Sequence, residues 1–440
     1  MKKTITAIAL LAIATGCAVR KPLTNAEAMQ QVDKMIDQAD VDRIVKTLSA
    51  DDMQGRGIYT PGIDKAATFI EGEFKKAGLV PLAGNNGFRQ SWEFANVTPK
   101  TSIVSINGKT VAADSLKITT SLASLNWNNS KDVEVVKLTA DKDFQKESAA
   151  YAKSGKKLLI IADPKFVTAI KGGRRGRITV NDNQALVYVI GNFGDVKSFN
   201  VNYTADVKKT APLFNVAGMI PGKTDEYVVF SGHYDHLGIE KNARKIIQGD
   251  SINNGADDDA SGTTAMITLA KYYKKLNNNQ RTIIFVAFTG EESGDLGSGH
   301  FGEGMNPAKA IAMFNIEMIG KAAKWGQNSA FITGFERSNF GTILQKNLTG
   351  TTFKFYPDPY PDQHLFTRSD NWALAQYGVP AHTISTDQIP DDKLYHTVKD
   401  EYKTLDVANI TATIKGIALS SRTIISGQDT PTKITDLSRN

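Results

Sequence analysis

The 440-residue chain contains a single cysteine, Cys17, and only six histidines. One cysteine excludes an intrachain disulfide and a thiolate metal cluster, so any metal site must use histidine, aspartate and glutamate. The net charge is also small, since 52 Lys and Arg residues and 46 Asp and Glu residues give a formal charge of +6. A surplus this small gives no argument for a nucleic-acid partner.

Sequence patterns of two large enzyme classes are missing as well. No G-x-S-x-G sequence and no Walker sequence occurs, which argues against a serine hydrolase and against a nucleotide enzyme. The basic tract KGGRRGR at 171–177 is short, rich in glycine and free of aromatic residues. We therefore expect it to be a solvated loop, and we expect no nucleic-acid partner.

Long hydrophobic runs are absent apart from a short one near the N-terminus. Two lysines precede residues 4–14, which are largely apolar but too few to span a bilayer. The run ends in ATGC, which resembles a bacterial lipobox, whose cysteine is lipidated. We expect residues 1–16 to be a lipoprotein signal peptide and Cys17 to carry the lipid that anchors an exported, outer-membrane or periplasm-facing protein to the cell envelope. The alternative is an ordinary secretory signal with an incidental cysteine.

Hydrophobic periodicity divides the remaining chain into segments of different character. Helical spacing covers about Ala26–Leu48 and Ile63–Ala77, whereas short β-like runs follow and then strands alternate with helices. The segments are a linker at 17–28, a first part of an α/β domain at 29–97, a β-rich insertion at 98–212, the main part of that domain at 213–428 and a tail at 429–440. The alternation predicts an α/β fold with a doubly wound, mostly parallel sheet flanked by helices.

Five polar clusters follow or lie near inferred strand ends in the α/β part. They are SGHYDHLG at 231–238, NGADDDASG at 254–262, FTGEESGDLGS at 288–298, FNIEMIG at 314–320 and KLYHTVKDE at 393–401. Each one alone is compatible with a solvated turn, a helix cap or a packed histidine. Together they favour a metal site, because neighbouring carboxylates need a cation or a shared proton, and His, Asp and Glu are ligands of hydrolytic zinc. A carboxylate that bridges two metals would explain an acidic cluster between separate histidines.

At these residues the chain resembles the di-zinc aminopeptidase family, which includes bacterial leucyl aminopeptidases, glutamate carboxypeptidase II and the transferrin receptor. HxD, GADDDASG, GEE and YHT occur in the family's order, and the resemblance runs from about residue 40 to 425. The segment GRGIYTPGIDKAATFIEGEFKKAGL is similar to the family's N-terminal opening. The resemblance implies a zinc-peptidase fold with the insertion at 98–212 in the position where some members carry a protease-associated domain.

Carried over residue by residue, the resemblance implies two Zn²⁺ ions per chain. Asp258 would bridge them, and the peptide bond that follows it would be cis. His233 and Glu317 would complete one zinc site, and Glu292 and His396 would complete the other. The family position of Glu317 is usually aspartate, so the ligand here is one methylene longer.

The resemblance also implies roles for three residues that do not bind metal. Glu291 would be the general base, Asp235 would orient the imidazole of His233, and Tyr395 would hydrogen-bond the tetrahedral intermediate. His236 is close in sequence to a ligand, but the family pattern does not require it, so we expect a structural or supporting residue.

The sequence therefore predicts a zinc-dependent exopeptidase, namely an aminopeptidase that removes N-terminal residues from peptides. Its expected partners are peptide substrates and a membrane reached through the lipid on Cys17. Two alternatives stay open. One is a carboxypeptidase or dipeptidase on the same fold, and the other is a non-catalytic binding protein on a peptidase scaffold. The sequence predicts neither an oligomeric state nor a preferred N-terminal residue.

Overall fold

The computed structural model describes residues 24–172 and 177–438. The predicted signal peptide, Cys17 and most of the KGGRRGR tract lie outside those residues. Within the described part of the chain, no helix combines the length and the apolar character that crossing a membrane requires.

A nine-stranded mixed sheet forms the centre of the α/β domain. Its inner strands are parallel and lie in the order Thr282–Phe288, Tyr227–His233, Ala310–Ile316 and Ala381–Ser385. The outer strands, joined to this centre through antiparallel pairs, are Val80–Pro81, Arg89–Trp92 and Leu213–Ile220 on one side and Ser329–Ile332 and Lys354–Pro357 on the other. The predicted α/β class is confirmed, and the sheet is parallel at its centre rather than throughout.

The strand Tyr227–His233 shows why the inner strands contain apolar runs. Val228 and Phe230 belong to one hydrophobic core, and Tyr227 and Val229 belong to a second one. Successive side chains of a strand point to opposite faces, so both faces of this sheet must be covered by packed elements. The helices of the domain are Asn25–Met35, Gln38–Leu48, Pro61–Ala77, Gly262–Leu276, Leu296–Gly304, Phe340–Asn347, Trp372–Ala375, Val407–Ser420 and Arg422–Ile425.

The single helix predicted over about Ala26–Leu48 is two helices in the structure. The first ends before Asp37, whose side chain caps the second helix by accepting a hydrogen bond from the N–H of Ala39. Apolar spacing continues across the break, so periodicity alone does not reveal it, whereas an aspartate favours a new helix start.

The first helix begins earlier than the predicted end of the linker at residue 28. Thr24 and Glu27 form a capping box, in which each side chain accepts a hydrogen bond from the backbone N–H of the other. Because this cap satisfies backbone donors at the helix start, residues 25–28 are helical.

The segment predicted as a β-rich insertion contains two sheets and two helices. One sheet contains Phe94–Ile106, Lys109–Thr110, Ser124–Asn128, Arg177–Thr179 and Phe199–Lys209, and the other contains Leu116–Thr120, Val133–Leu138, Lys157–Ala162 and Ala185–Ile190. Trp127 of the first sheet and Leu159 of the second share one core. The helices Phe144–Lys153 and Val167–Lys171, which the sequence did not predict, pack against the second sheet.

The chain leaves and rejoins the main sheet at neighbouring strands. Trp92 is the register partner of Leu213, and the strands that carry them run antiparallel. The two ends of the inserted segment are therefore adjacent. The segment interrupts the sequence of the α/β domain, but the strands before and after it pair with each other in the main sheet.

Replacing Phe230 by alanine is expected to lower the free energy of unfolding by about 3–5 kcal/mol, because the cavity would lie at the centre of the core. The Phe230 ring is fully buried and stacks on those of Phe314 and Phe285, with centroids 4.6 and 5.5 Å away. Urea denaturation followed by fluorescence measures the change. As a control, Val80→Ala on an outer strand, where the side chain is 38% exposed, should change stability by no more than about 0.5 kcal/mol. Equal losses in the two variants would contradict this account of the core.

Candidate metal centre

Buried and half-buried imidazoles and carboxylates meet at the carboxyl ends of the parallel strands. His233 ends the strand Tyr227–His233, Glu291 and Glu292 follow Thr282–Phe288, and Glu317 directly follows Ala310–Ile316. Parallel strands present their carboxyl ends at one edge, so residues distant in sequence become neighbours there.

The carboxylate of Asp258 lies in the middle of this cluster and is 2% exposed. Its Oδ1 is 3.1 Å from Nε2 of His233, and its Oδ2 is 3.2 Å from Nε2 of His396. Each oxygen thus faces a different histidine, which suits a carboxylate shared between two cations. The peptide bond from Asp258 to Asp259 is cis.

Asp258 belongs to two groups of side chains. Ligand atoms of His233, Asp258 and Glu317 lie within 4.8 Å of one another. On the other side, Nε2 of His396 is 3.1 Å from Oε2 of Glu292. All five residues proposed as ligands from the sequence are therefore neighbours in the structure, and Glu317 reaches the cluster despite its extra methylene.

His236 also belongs to the centre, although sequence reasoning assigned it only a supporting role. Its Nδ1 lies 2.7 Å from Oε1 of Glu292 and 3.9 Å from Oδ2 of Asp258. Its ring meets that of His396 edge-on, with centroids 5.8 Å apart. The available signal was position, because His236 follows His233 by three residues in the same strand-end loop.

The atoms of the centre fit zinc. Nε2 of His233, Nδ1 of His236 and Oε1 of Glu292 are buried and close to atoms of opposite charge, yet none is aligned in a hydrogen bond within the described residues. Imidazole nitrogens and carboxylate oxygens are the usual ligands of catalytic zinc. A metal would therefore satisfy polar atoms that the protein leaves without partners.

Charge gives a second reason to expect a cation here. Burial raises the pKa of Glu317 to about 7, with a further contribution from the Asp258 carboxylate. Burial, with Glu317 and other nearby carboxylates, also raises the pKa of Glu291 well above its usual range. Although burial opposes it, contact with Asp258 and Glu292 raises the pKa of His396 to about 10. These shifts reflect a concentration of negative charge that a cation would offset.

Asp235 contacts the centre in a different way from the one expected. Its carboxylate Oδ1 is 3.9 Å from Nδ1 of His233, whereas its backbone carbonyl oxygen is 3.2 Å from that nitrogen. The carboxylate instead accepts a hydrogen bond of 3.2 Å from the backbone N–H of Glu291. Asp235 thus orients the histidine through its backbone and the loop of the predicted base through its side chain.

Tyr395 lies beside the centre. Its ring stacks on that of His396, with centroids 3.9 Å apart, and it lines a cavity together with Glu291 and Glu317. The residue predicted as base and the residue predicted to stabilise the intermediate therefore face the same space.

Of the three consecutive aspartates, only Asp258 faces the histidines. Asp259 accepts hydrogen bonds of 3.1 Å from the backbone N–H groups of His233 and Met318. These two bonds join the ends of the strands Tyr227–His233 and Ala310–Ile316. Asp400, which sequence reasoning did not single out, accepts backbone hydrogen bonds from Asp257 and Asp258. The carboxylates of Asp259 and Asp400 therefore hold the backbone around Asp258 in place.

Arg56 supports the centre from the protein interior and is fully buried. It donates hydrogen bonds to the carbonyl oxygens of Tyr234 and Leu48, both at 2.8 Å, of Asn254 at 2.6 Å and of Gly255 at 2.8 Å. One guanidinium thereby joins the loop after His233 to the loop before Asp258. Sequence reasoning used its segment only as part of a resemblance.

By its fold and this centre, the chain is an α/β protein with a candidate zinc site at the carboxyl ends of its parallel strands. Residues 215–420 match the model of peptidase family M28. This match confirms the resemblance to zinc aminopeptidases that the five clusters indicated.

Curated relatives are similar to this chain over part of their length. A probable zinc metalloprotease of Pyrenophora teres f. teres is 33% identical over 152 residues, which cover 33% of this chain and 29% of that protein. Leucine aminopeptidase 1 of Ajellomyces capsulatus is 25% identical over 206 residues, which cover 44% and 51%. The chain thus spans about half or less of the length of these two relatives.

Solved structures confirm the fold. An aminopeptidase from Aneurinibacillus sp. strain AM-1 has a TM-score of 0.51 at 19% identity, covering 94% of this chain and 98% of that chain. BSAP, a zinc aminopeptidase from Bacillus subtilis, has a TM-score of 0.51 at 15% identity, covering 92% and 99%.

Replacing Arg56 by methionine is expected to lower the free energy of unfolding of the metal-free protein by about 3 kcal/mol or more, because several buried carbonyls lose their donors. Arg56→Lys should recover only part of the loss, since an ammonium cannot reproduce the planar donor array. Denaturant titration measures both. The exposed Arg244 provides the matched control, and Arg244→Met should leave stability nearly unchanged. A small effect at Arg56 would contradict its structural role.

Proposed function

We propose that this protein is a zinc-dependent aminopeptidase that removes residues one at a time from the N-terminus of peptides. The observation that carries the proposal is the shared Asp258 carboxylate, which faces histidines on two sides next to a cavity lined by Glu291. The similarity to peptidase family M28 and to proteins named aminopeptidases supports the same function.

The centre is proposed to hold two Zn²⁺ ions. His233 and Glu317 would hold one, Glu292 and His396 the other, and Asp258 both. Buried His236, whose Nδ1 is 2.7 Å from Oε1 of Glu292, would fix the orientation of that ligand. Zinc bound at such a site supplies acidification of a water molecule and polarisation of a carbonyl group.

Glu291 is proposed to move the proton. It lines the cavity next to the centre, and its backbone is held by Asp235. Its carboxylate would accept a proton from the attacking water and later deliver it to the nitrogen of the leaving amine. The Tyr395 hydroxyl would donate a hydrogen bond to the oxygen on which negative charge develops.

The acidic wall of the cavity favours an aminopeptidase over a carboxypeptidase. Glu291 and Glu317 line the end nearest the centre, and both are carboxylates. A free α-amine is complementary to these carboxylates, whereas the cation in the lining, Arg368, is exposed and bonds to Gln363. A dipeptidase on the same fold is the nearest alternative, and a non-catalytic scaffold is the other.

We further propose that the protein is exported and works at the cell envelope, anchored by a lipid on Cys17. The support is the charged and apolar N-terminal sequence that ends in ATGC. The segment 98–212 is proposed as an inserted domain, in keeping with its own sheets and cores.

Glu291→Gln is expected to lower kcat by about 10²–10⁴-fold because it removes the proton acceptor but keeps the shape of the side chain. Zinc content, measured by elemental analysis, should stay at the wild-type level. Glu303→Gln changes an exposed glutamate outside the centre and should keep activity. Full turnover in Glu291→Gln would refute the proposed base.

Removing metal with a chelator is expected to abolish cleavage of aminoacyl 4-nitroanilides and to lower the thermal unfolding temperature, because buried carboxylates lose their counter-charge. Adding Zn²⁺ should restore both. N-acetylated versions of the same substrates test the aminopeptidase assignment, since they lack the free amine. Cleavage of acetylated and free substrates at equal rates would contradict it.

A further inference from the structure

We infer that the cavity beside the metal centre accepts a basic N-terminal side chain, lysine or arginine, and that Asp387 selects it. The inference rests on the proposed aminopeptidase function, because it names the substrate class of that site. Its basis is one surplus carboxylate in the wall of a largely apolar pocket.

The cavity begins at Glu291 and Glu317. Beyond these residues its walls include the apolar side chains of Met318, Phe331 and Ile389. Walls of this kind suit the methylene chain of a long side chain, whose charged end must then find a polar partner.

Asp387 lines the same cavity and offers that partner. The residue is only 3% exposed, and neither carboxylate oxygen has a hydrogen-bond partner among the residues that the structure describes. Its backbone N–H donates to Oγ of Ser385, so the local backbone is held while the carboxylate is left unsatisfied. A buried carboxylate without a partner is costly and favours binding of a cation.

The neighbouring charges do not satisfy Asp387. Carboxylate oxygens of Asp257, Asp387 and Asp392 lie within 4.8 Å of one another. The ammonium of Lys321 is 3.1 Å from Asp257 and 2.6 Å from Asp392, but it makes no ion pair with Asp387 within the described chain. Lys321 thus pairs with Asp257 and Asp392, whereas Asp387, the member that lines the cavity, has its side-chain contact with another acid, Asp392.

Electrostatics supports the same reading of the cluster. Burial, together with Asp257 and Asp392, raises the pKa of Asp387 to about 8. A substrate ammonium or guanidinium would offset this penalty, whereas a leucine or phenylalanine side chain would leave the carboxyl group unsatisfied. Lys321 already occupies the place between the other two carboxylates, which favours a cation that arrives from the cavity.

Arg368 is the opposing charge at this pocket. It also lines the cavity, but it is exposed and bonds to Gln363 at 3.3 Å. If Arg368 rather than Asp387 controlled selection, acidic N-terminal residues would be preferred.

The first test uses the wild-type, zinc-loaded protein and the 4-nitroanilides of lysine, norleucine and glutamate. Norleucine has a similar chain but no charge. We expect kcat/KM for lysine to exceed that for norleucine by about tenfold or more, since the site is built to pair a charged group. A norleucine value equal to or above the lysine value would overturn the inference, as would a preference for glutamate.

The second test compares Asp387→Asn with Asp391→Asn, which changes an exposed aspartate of the same loop. The ratio of lysine to norleucine kcat/KM should fall about tenfold in Asp387→Asn and stay at the wild-type value in Asp391→Asn. An unchanged ratio in Asp387→Asn would overturn the inference. The wild-type comparison remains decisive if this variant does not fold.

The two levels of proposal fail in different ways. If the zinc-loaded protein cleaves none of the three substrates or any other aminoacyl anilide, the aminopeptidase function is wrong and the inference falls with it. If norleucine is cleaved well but lysine is not preferred, the function stands and only the role of Asp387 is wrong.

Discussion

The structure depends on one constraint, namely that the buried Asp258 carboxylate must be held between histidines on two sides. A buried carboxylate is stable only with positive charge or donors nearby. His233 and His396 face its two oxygens, and the next shell consists of glutamates that themselves need cations. Although the whole chain is nearly neutral, its negative charge is concentrated in this pocket. That concentration is the reason the pocket suits zinc ions.

The backbone around Asp258 is shaped to meet that constraint. Arg56 ties together the loops on either side, and Asp259 and Asp400 accept the backbone N–H groups that would otherwise be unpaired. Close packing matters as well, because a Cβ at Gly262 would overlap the carbonyl oxygen of Ile316. Only glycine lets the helix after the aspartates approach the strand that carries Glu317. The predicted ligands therefore depend on residues that bind no metal.

Much of the fold could be predicted because the inner strands are buried on both faces. Residues 227–230 and 283–288 are continuous apolar runs, and such runs are visible without any tertiary information. The break at Asp37 was missed because a side-chain cap ends a helix without disturbing apolar spacing. The predicted mostly parallel sheet is confirmed, but its antiparallel edges could not be located because strand pairing depends on neighbours distant in sequence. The helices Phe144–Lys153 and Val167–Lys171 of the inserted segment were not predicted.

For the site, the sequence determined the chemical types, the strand ends that carry them and, through resemblance, which residues form the central set. Residue types and strand ends are local properties, so the clusters that contain His233, Glu292 and Glu317 could be found from position, whereas the role of each residue came from the resemblance. Only the tertiary structure decided that His236 joins the centre and that Asp235 bonds to the backbone of Glu291. It also decided that Asp387 lies in the wall of the cavity without an ion pair to any residue that the structure describes. Those facts depend on distances between loops that are far apart in the sequence. The order of the residues alone does not give those distances, so it does not show which charges are paired.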